Sequence, residues 1–144
     1  MVFLGTFNHT LDDKNRLALP SKFIAKLPKE IYISKGFDGC LEIRTPDEFN
    51  KRYEFLMQYS ENKKASRDVA RTYFSNSRDI EIDKTKRILL PSELIELAHI
   101  KKNVMIIGVG NKIEIWDEVA FKKFQKAAND TYESVAEKLD DQTN

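Results

Sequence analysis

The stretch that decides the fold occurs twice in this chain of 144 residues. Residues 11–21 read LDDKNRLALPS, and residues 82–92, which lie 71 positions later, read IDKTKRILLPS. Farther along, Leu41-Glu42-Ile43 returns as Ile113-Glu114-Ile115 at an offset of 72. Because the two offsets agree to within one residue, the chain contains two copies of one supersecondary unit. The period is too long for a solenoid repeat.

Size and composition indicate two half-units that share one core. A unit of about 60 to 70 residues buries only ~60% of its unfolded surface, so neither half, residues 1–74 or 75–144, is expected to fold well alone. Apolar residues make up 41% of the chain and charged residues 33%, which is typical of a globular protein. Since the net charge is only +1, a nucleic-acid-binding surface would need local clustering of cations.

Each half is predicted to run strand, loop, strand, short helix, hairpin and longer helix, which is an α+β pattern. Pro20 and Pro91 mark the same strand-to-helix corner twice, because proline cannot donate a ladder hydrogen bond. The Asp38-Gly39 pair predicts a hairpin reversal. Thr45 opens a capping box for the helix that follows, and Asp117 is expected to cap the last helix.

The two repeated loops are the strongest candidate for a binding site. Arginine pairs with guanine or phosphate through two N–H groups, and lysine acts as a point charge on phosphate. An alternative is that Asp12 with Arg16, and Asp83 with Arg87, form exposed ion pairs of little energetic value. Because the spacing occurs in both copies, we expect each Asp to orient its Arg and the Arg to contact the ligand. The candidate DNA-binding residues are Lys14, Arg16, Lys84, Lys86 and Arg87, supported by Asp12, Asn15 and Asp83.

The residue before each arginine makes the two loops unequal. Asn15 tolerates a positive φ, whereas Lys86 at the equivalent position does so less readily. Lys86 is therefore expected either to accept strain of order 1 kcal/mol or to pull its turn into another shape. In the second case, loop 12–16 would make more of the base contacts that give sequence specificity. Loop 83–87 would contribute more of the nonspecific affinity for DNA.

Other chemistries find little support in the sequence. Cys40 has no second cysteine to pair with and is expected to be a buried, inert thiol. His9 and His99 stand alone, so neither a metal site nor a cofactor site is predicted. Glu42 and Glu114 are interpreted as structural or surface residues and not as a catalytic pair, and without a nucleophile or phosphate-binding motif the chain is not expected to be an enzyme. The sequence also lacks a membrane span or signal segment, so we expect a cytoplasmic protein.

These motifs resemble the MraZ family of bacterial transcriptional regulators, which belongs to the AbrB-like, swapped-hairpin class. The resemblance covers nearly the whole chain. It rests on residues 9–17, the Asp-x-x-x-Arg echo at 83–87, the hairpin at 36–41, and the segments 106–108 and 112–116. The family usually has glycine before each arginine, where this chain has Asn15 and Lys86.

The resemblance implies two tandem swapped-hairpin half-units that form one pseudo-symmetric β-barrel with flanking helices. It also implies a ring-like homo-oligomer associated with the nucleoid. The Asp-x-x-x-Arg loops would bind direct repeats in double-stranded DNA upstream of the division and cell-wall gene cluster that contains the family's own gene. An alternative function on the same fold is a protein-interaction module of the antitoxin type.

Overall fold

A computed structural model describes residues 2–140 and gives this part of the chain an α+β fold of eight strands and five helices. The first half contains β1 (Thr6–Thr10), β2 (Arg16–Ala18), α1 (Ser21–Ile24), β3 (Glu30–Lys35), β4 (Leu41–Arg44), α2 (Pro46–Met57) and α3 (Lys64–Ser75). The second half contains β5 (Ser77–Glu81), β6 (Arg87–Leu89), α4 (Ser92–Leu97), β7 (Asn103–Gly108), β8 (Ile113–Asp117) and α5 (Glu118–Asp140). No helix within residues 2–140 is long and apolar enough to cross a membrane.

The halves exchange their first strands. Six strands form an antiparallel sheet in the order β1-β7-β8-β4-β3-β5, and β2 pairs with β6 in a separate two-stranded sheet. Thus β1 of the first half pairs with the second hairpin, and β5 of the second half pairs with the first hairpin. Neither half can complete its sheet without the other, so the swapped arrangement implied by the resemblance is present.

The predicted closed barrel is not confirmed. In the described part of the chain the six-stranded sheet ends at β1 on one side and at β5 on the other. Strand β2 contacts β1, and β6 contacts β5, but these strands belong to different sheets. The two-stranded sheet therefore covers the core without closing the larger sheet into a barrel.

The strand register pairs residues that occupy equivalent positions in the two repeats. Leu17 pairs with its own repeat equivalent, Ile88, in the two-stranded sheet. Glu42 likewise pairs with Glu114 at the centre of the larger sheet. A residue that pairs with its own equivalent must lie on the symmetry axis, so a pseudo-twofold axis passes through both sheets at these two pairs.

The main core lies between the two sheets. Strand residues alternate between faces, so Leu41 and Ile43 of β4 enter this core while Glu42 and Arg44 point to the opposite face. Helices α1 and α4 contribute Phe23 and Leu94 to the core. The buried strand residues that fill it include Leu17, Ile31, Ile33, Ile88, Ile106 and Ile115.

Helices cover the outer face of the larger sheet. On one side Phe49 of α2 stacks on Tyr32 of β3 with ring centroids 4.3 Å apart. On the other side Phe121 of α5 packs against Trp116 at 5.5 Å. As predicted, the Thr45 hydroxyl accepts the N–H of Glu48 at 3.3 Å and caps α2. Asp117 lies immediately before α5, and its carboxylate accepts the backbone N–H of Lys101 at 3.2 Å.

A buried charge network crosses the axis on this outer face. Glu42, only 3% exposed, accepts bonds from Arg44 at 2.6 Å and from Lys112 at 2.5 Å. Lys112 also lies 3.2 Å from Glu114, whose other oxygen accepts the indole N–H of Trp116. Burial opposes ionisation of Glu42, but the bonds from Lys112 and Arg44 hold its pKa below the usual value. Both glutamates are therefore structural, as predicted from the sequence.

Cys40 lies beside this network. Its thiol, Glu42 and Glu114 offer ligand atoms within 4.8 Å of one another, but the Lys112 ammonium already lies between the two carboxylates. Burial and the neighbouring carboxylates raise the pKa of the Cys40 thiol. The thiol is therefore buried, as expected, and its reactive thiolate form is disfavoured.

Replacing Glu42→Gln should lower the free energy of unfolding by about 3–5 kcal/mol, because Arg44 and Lys112 would lose their shared counter-charge in a buried site. Urea denaturation measures this loss. The matched control is Glu81→Gln, whose carboxylate is 65% exposed and lies 3.8 Å from Lys29; it should change stability by less than about 1 kcal/mol. Equal losses in the two variants would contradict the assignment of the network as a stabilising element.

Candidate nucleic-acid interface

The two-stranded sheet holds the repeated loops side by side. In β2 and β6, Arg16 pairs with Leu89 and Ala18 pairs with Arg87. Two further backbone bonds extend this pairing to the loops themselves. Leu19 donates its N–H to the carbonyl of Lys86 at 3.2 Å, and Leu90 donates to the carbonyl of Asn15 at 2.9 Å.

Asp12 builds the first loop. Its Oδ1 accepts the backbone N–H of Lys14 at 2.9 Å and that of Arg16 at 2.8 Å. Its carbonyl accepts the N–H of Asn15 at 3.1 Å. The bond from the Arg16 N–H is the main cause that holds the pKa of Asp12 below its usual value. The Asp is thus needed four residues before the Arg because its carboxylate closes the turn.

Asp83 builds the second loop in the same way. Its Oδ1 accepts the N–H of Thr85 at 2.8 Å and that of Arg87 at 3.0 Å. The Thr85 hydroxyl adds a third bond at 2.7 Å. This hydroxyl is the main cause of the lowered pKa of Asp83, followed by the Arg87 N–H. Both aspartates therefore keep their charge to a lower pH than an unperturbed aspartate does.

The residue before each arginine is left-handed in both loops. Asn15 has φ 62° and Lys86 has φ 65°. Of the two alternatives for Lys86, the accepted strain is correct and the changed shape is wrong. Asp83 accepts the N–H groups of Thr85 and Arg87, on either side of Lys86, and Leu19 of the neighbouring strand donates to the Lys86 carbonyl. These bonds impose the turn and override the preference of lysine for a negative φ. The loops therefore have one backbone shape, so shape gives no reason to assign them different shares of base contact.

One ion pair joins the two loops. Arg87 Nη1 lies 3.1 Å from Asp12 Oδ2, and the two side chains are 47% and 34% exposed. The sequence predicts that each Asp orients the Arg of its own loop, whereas in the structure the Asp12 side chain holds the Arg87 side chain of the other loop. The repeat in the sequence carried no signal for this cross-pairing, because spacing within one loop does not show which loop lies beside it.

All five predicted cationic residues lie on these two loops and are exposed. Three carboxylates, of Asp12, Asp13 and Asp83, accompany them. The structure thus brings five cations and three carboxylates together on two adjacent loops of a chain whose net charge is only +1. Such a local basic surface is what DNA phosphates require.

Comparison with known proteins agrees with the two-part organisation. The family model described as "MraZ protein, putative antitoxin-like" matches residues 2–72 and again residues 73–142. Each match contains one of the two loops.

Several curated relatives match over nearly their full length. A protein of Mesoplasma florum is 42% identical over 96% of both chains. One of Mycoplasmoides gallisepticum is 39% identical over 97% of this chain and 99% of its own. A third, of Finegoldia magna, is 37% identical over 97% of this chain and 98% of its own. All three are named "Transcriptional regulator MraZ".

Replacing Lys86→Gly should stabilise the protein by about 0.5–1 kcal/mol, because glycine adopts φ 65° without steric cost. The control Asn15→Gly should be closer to neutral, since asparagine already tolerates the left-handed region. Chemical denaturation of both variants measures the difference. A destabilised Lys86→Gly variant would show that the lysine is not strained.

Proposed function

This chain belongs to the MraZ family, and on that premise we propose that it is a regulator of transcription that binds DNA sequence-specifically through loops 12–16 and 83–87. The observation that carries the proposal is the joining of two identical turns by the β2–β6 ladder. Each turn starts from an aspartate-closed backbone and ends in an exposed arginine.

The loop residues divide into groups that can read bases and groups that can hold phosphate. Arg16 and Arg87 can donate two N–H groups to guanine O6 and N7 in the major groove. Lys14, Lys84 and Lys86 can neutralise phosphates as point charges. Asp12, Asn15 and Asp83 support these side chains by fixing the turns. No step in this function needs a metal ion or a small-molecule substrate.

The proposed target is a set of direct repeats upstream of the division and cell-wall gene cluster in which the chain's own gene lies, as the resemblance implies. A regulator of such a promoter would act in the cytoplasm, at the nucleoid. Five loop cations per chain make few phosphate contacts, so one chain would bind weakly. Several tethered chains on tandem repeats would gain avidity through effective concentration.

The helices favour self-association, and a ring is the form we propose. Apolar side chains stand exposed on α2 and α3, and again along α5. Surfaces of this kind mark interaction sites, and contact between different faces of identical chains closes into a ring when the rotation permits. The exposed residues are Tyr53, Phe55 and Met57 on α2, Tyr59 just after it, Val69 on α3, and Phe124, Tyr132, Val135 and Leu139 on α5.

A second candidate function is an antitoxin-like protein-interaction module. The description of the matching family model favours it, as do the same exposed helices. Salt dependence separates the two candidates. Counterion release makes DNA affinity fall steeply with salt, whereas an apolar protein interface changes little.

Arg16→Ala should weaken binding to DNA, because it removes one exposed loop cation, and leave the unfolding midpoint nearly unchanged. Competition titrations at two salt concentrations measure this. Arg71→Ala is the matched control, since it removes one exposed cation from α3 on the far side of the larger sheet. If Arg16→Ala lowered stability and left DNA binding intact, the loop would be only a structural turn.

The purified protein should form a closed oligomer with one discrete mass, because the exposed helical surfaces would otherwise remain in water. Light scattering coupled to size exclusion measures the mass over a broad concentration range. A mass near 16.8 kDa, that of one chain, at every concentration would contradict the assembly and the avidity argument with it.

A further inference from the structure

We propose that Asp12 is a positioning residue for Arg87, and that Arg87 is the base-reading arginine of the paired loops while Arg16 contacts phosphate. This inference rests on the proposed function and assigns unequal roles within the same site. It would make loop 83–87 the source of sequence reading, although the two loops share one backbone shape.

The asymmetry is visible in the side chains. Pseudo-twofold symmetry would place an Arg16–Asp83 pair opposite the Arg87–Asp12 pair. Arg87 Nη1 is held by Asp12 Oδ2 at 3.1 Å. The charge of Arg16 helps to lower the pKa of Asp83, but within residues 2–140 its guanidinium makes neither a hydrogen bond nor an ion pair within 4.0 Å. One arginine is therefore hydrogen-bonded across the loops before any DNA arrives, whereas the other is attracted to its carboxylate only at longer range.

A sequence difference between the loops accompanies this asymmetry. Position 14 carries lysine, whereas the equivalent position 85 carries threonine. The Thr85 hydroxyl donates to Asp83 at 2.7 Å in addition to the two backbone N–H groups of that turn. Lys14 offers Asp12 only its backbone N–H. Asp12 Oδ2 accepts from the neighbouring loop, whereas Asp83 is bonded only within its own loop.

A guanidinium that is oriented before DNA binds is better suited to a base contact than to a phosphate contact. Ordering a long side chain on binding costs a factor of about two to ten in affinity, and Asp12 has already ordered Arg87. With Nη1 engaged, the other N–H groups of the guanidinium remain available to guanine O6 and N7. A phosphate contact requires no such geometry, so the unrestrained Arg16 suits it.

The test compares Asp12→Asn with Asp83→Asn in the full-length protein. In each variant the amide oxygen can still accept the backbone N–H groups of the turn, and each variant removes one negative charge. Only Asp12→Asn replaces the oxygen that holds Arg87 with an NH₂ group that cannot accept. The probe is the duplex that the wild-type protein selects from a random pool, measured against a scrambled duplex of the same composition.

Asp12→Asn should lower the ratio of the two affinities by about twofold to tenfold. Asp83→Asn should raise both affinities alike, through its lost negative charge, and leave the ratio unchanged. In an Arg87→Ala background, Asp12→Asn should have no further effect on the ratio, whereas in an Arg16→Ala background its effect should persist. This dependence on Arg87 would not arise from a purely structural role.

Arg87→Lys and Arg16→Lys provide a second test that leaves both aspartates in place. Lysine keeps the charge but cannot form the bidentate contact, so only Arg87→Lys should lower the ratio. Equal effects of the two aspartate variants, or of the two lysine variants, would overturn the inference while the proposed function stands. If the wild-type protein selects no duplex, the proposed function fails and the inference falls with it.

Discussion

The exchange of first strands between the halves is the constraint on which the rest of the structure depends. Strand β1 completes the hairpin of the second half, and β5 completes that of the first. A half-unit alone would leave one face of its hairpin and its edge strand unpaired. The exchange merges two small hydrophobic surfaces into one core, and it forces β2 and β6 to meet above that core. The adjacency of the two loops is therefore a consequence of how the chain buries its apolar residues.

The two faces of the larger sheet are specialised in different ways. The inner face is apolar and packs towards the two-stranded sheet, in which the symmetry axis passes through the Leu17–Ile88 pair. The outer face carries the same axis through Glu42 and Glu114, which are bridged by Lys112. Two like charges at one point of a sheet would repel, and the ammonium between them removes that repulsion. Because Lys112 bridges them, Glu42 and Glu114 can lie side by side at the symmetry axis, beneath the helices of the outer face.

The loops show how symmetric backbones can carry asymmetric chemistry. The Asp-x-x-x-Arg spacing serves the backbone first, since the carboxylate accepts the N–H of the residue four positions on. This requirement explains why the spacing recurs in both halves. The side chains are free to differ once the turns are closed, and the side-chain bond from Arg87 to Asp12 across the loops is one such difference. Duplication supplied two equal turns, and substitutions such as Lys14 against Thr85 made them unequal.

Local spacing and residue type are enough to predict the repeat, the α+β pattern, the capping of α2 by Thr45 and the five loop cations. The sequence also indicated that Asn15 and Lys86 occupy the critical turn position. Only the tertiary structure decided that Lys86 adopts φ 65°, because the neighbouring strand and Asp83 impose a conformation that lysine does not prefer. Only the tertiary structure paired Asp12 with Arg87 and Glu42 with Lys112, 75 and 70 residues apart. Contacts between distant segments follow from how the elements pack together, and local sequence patterns carry no information about that packing.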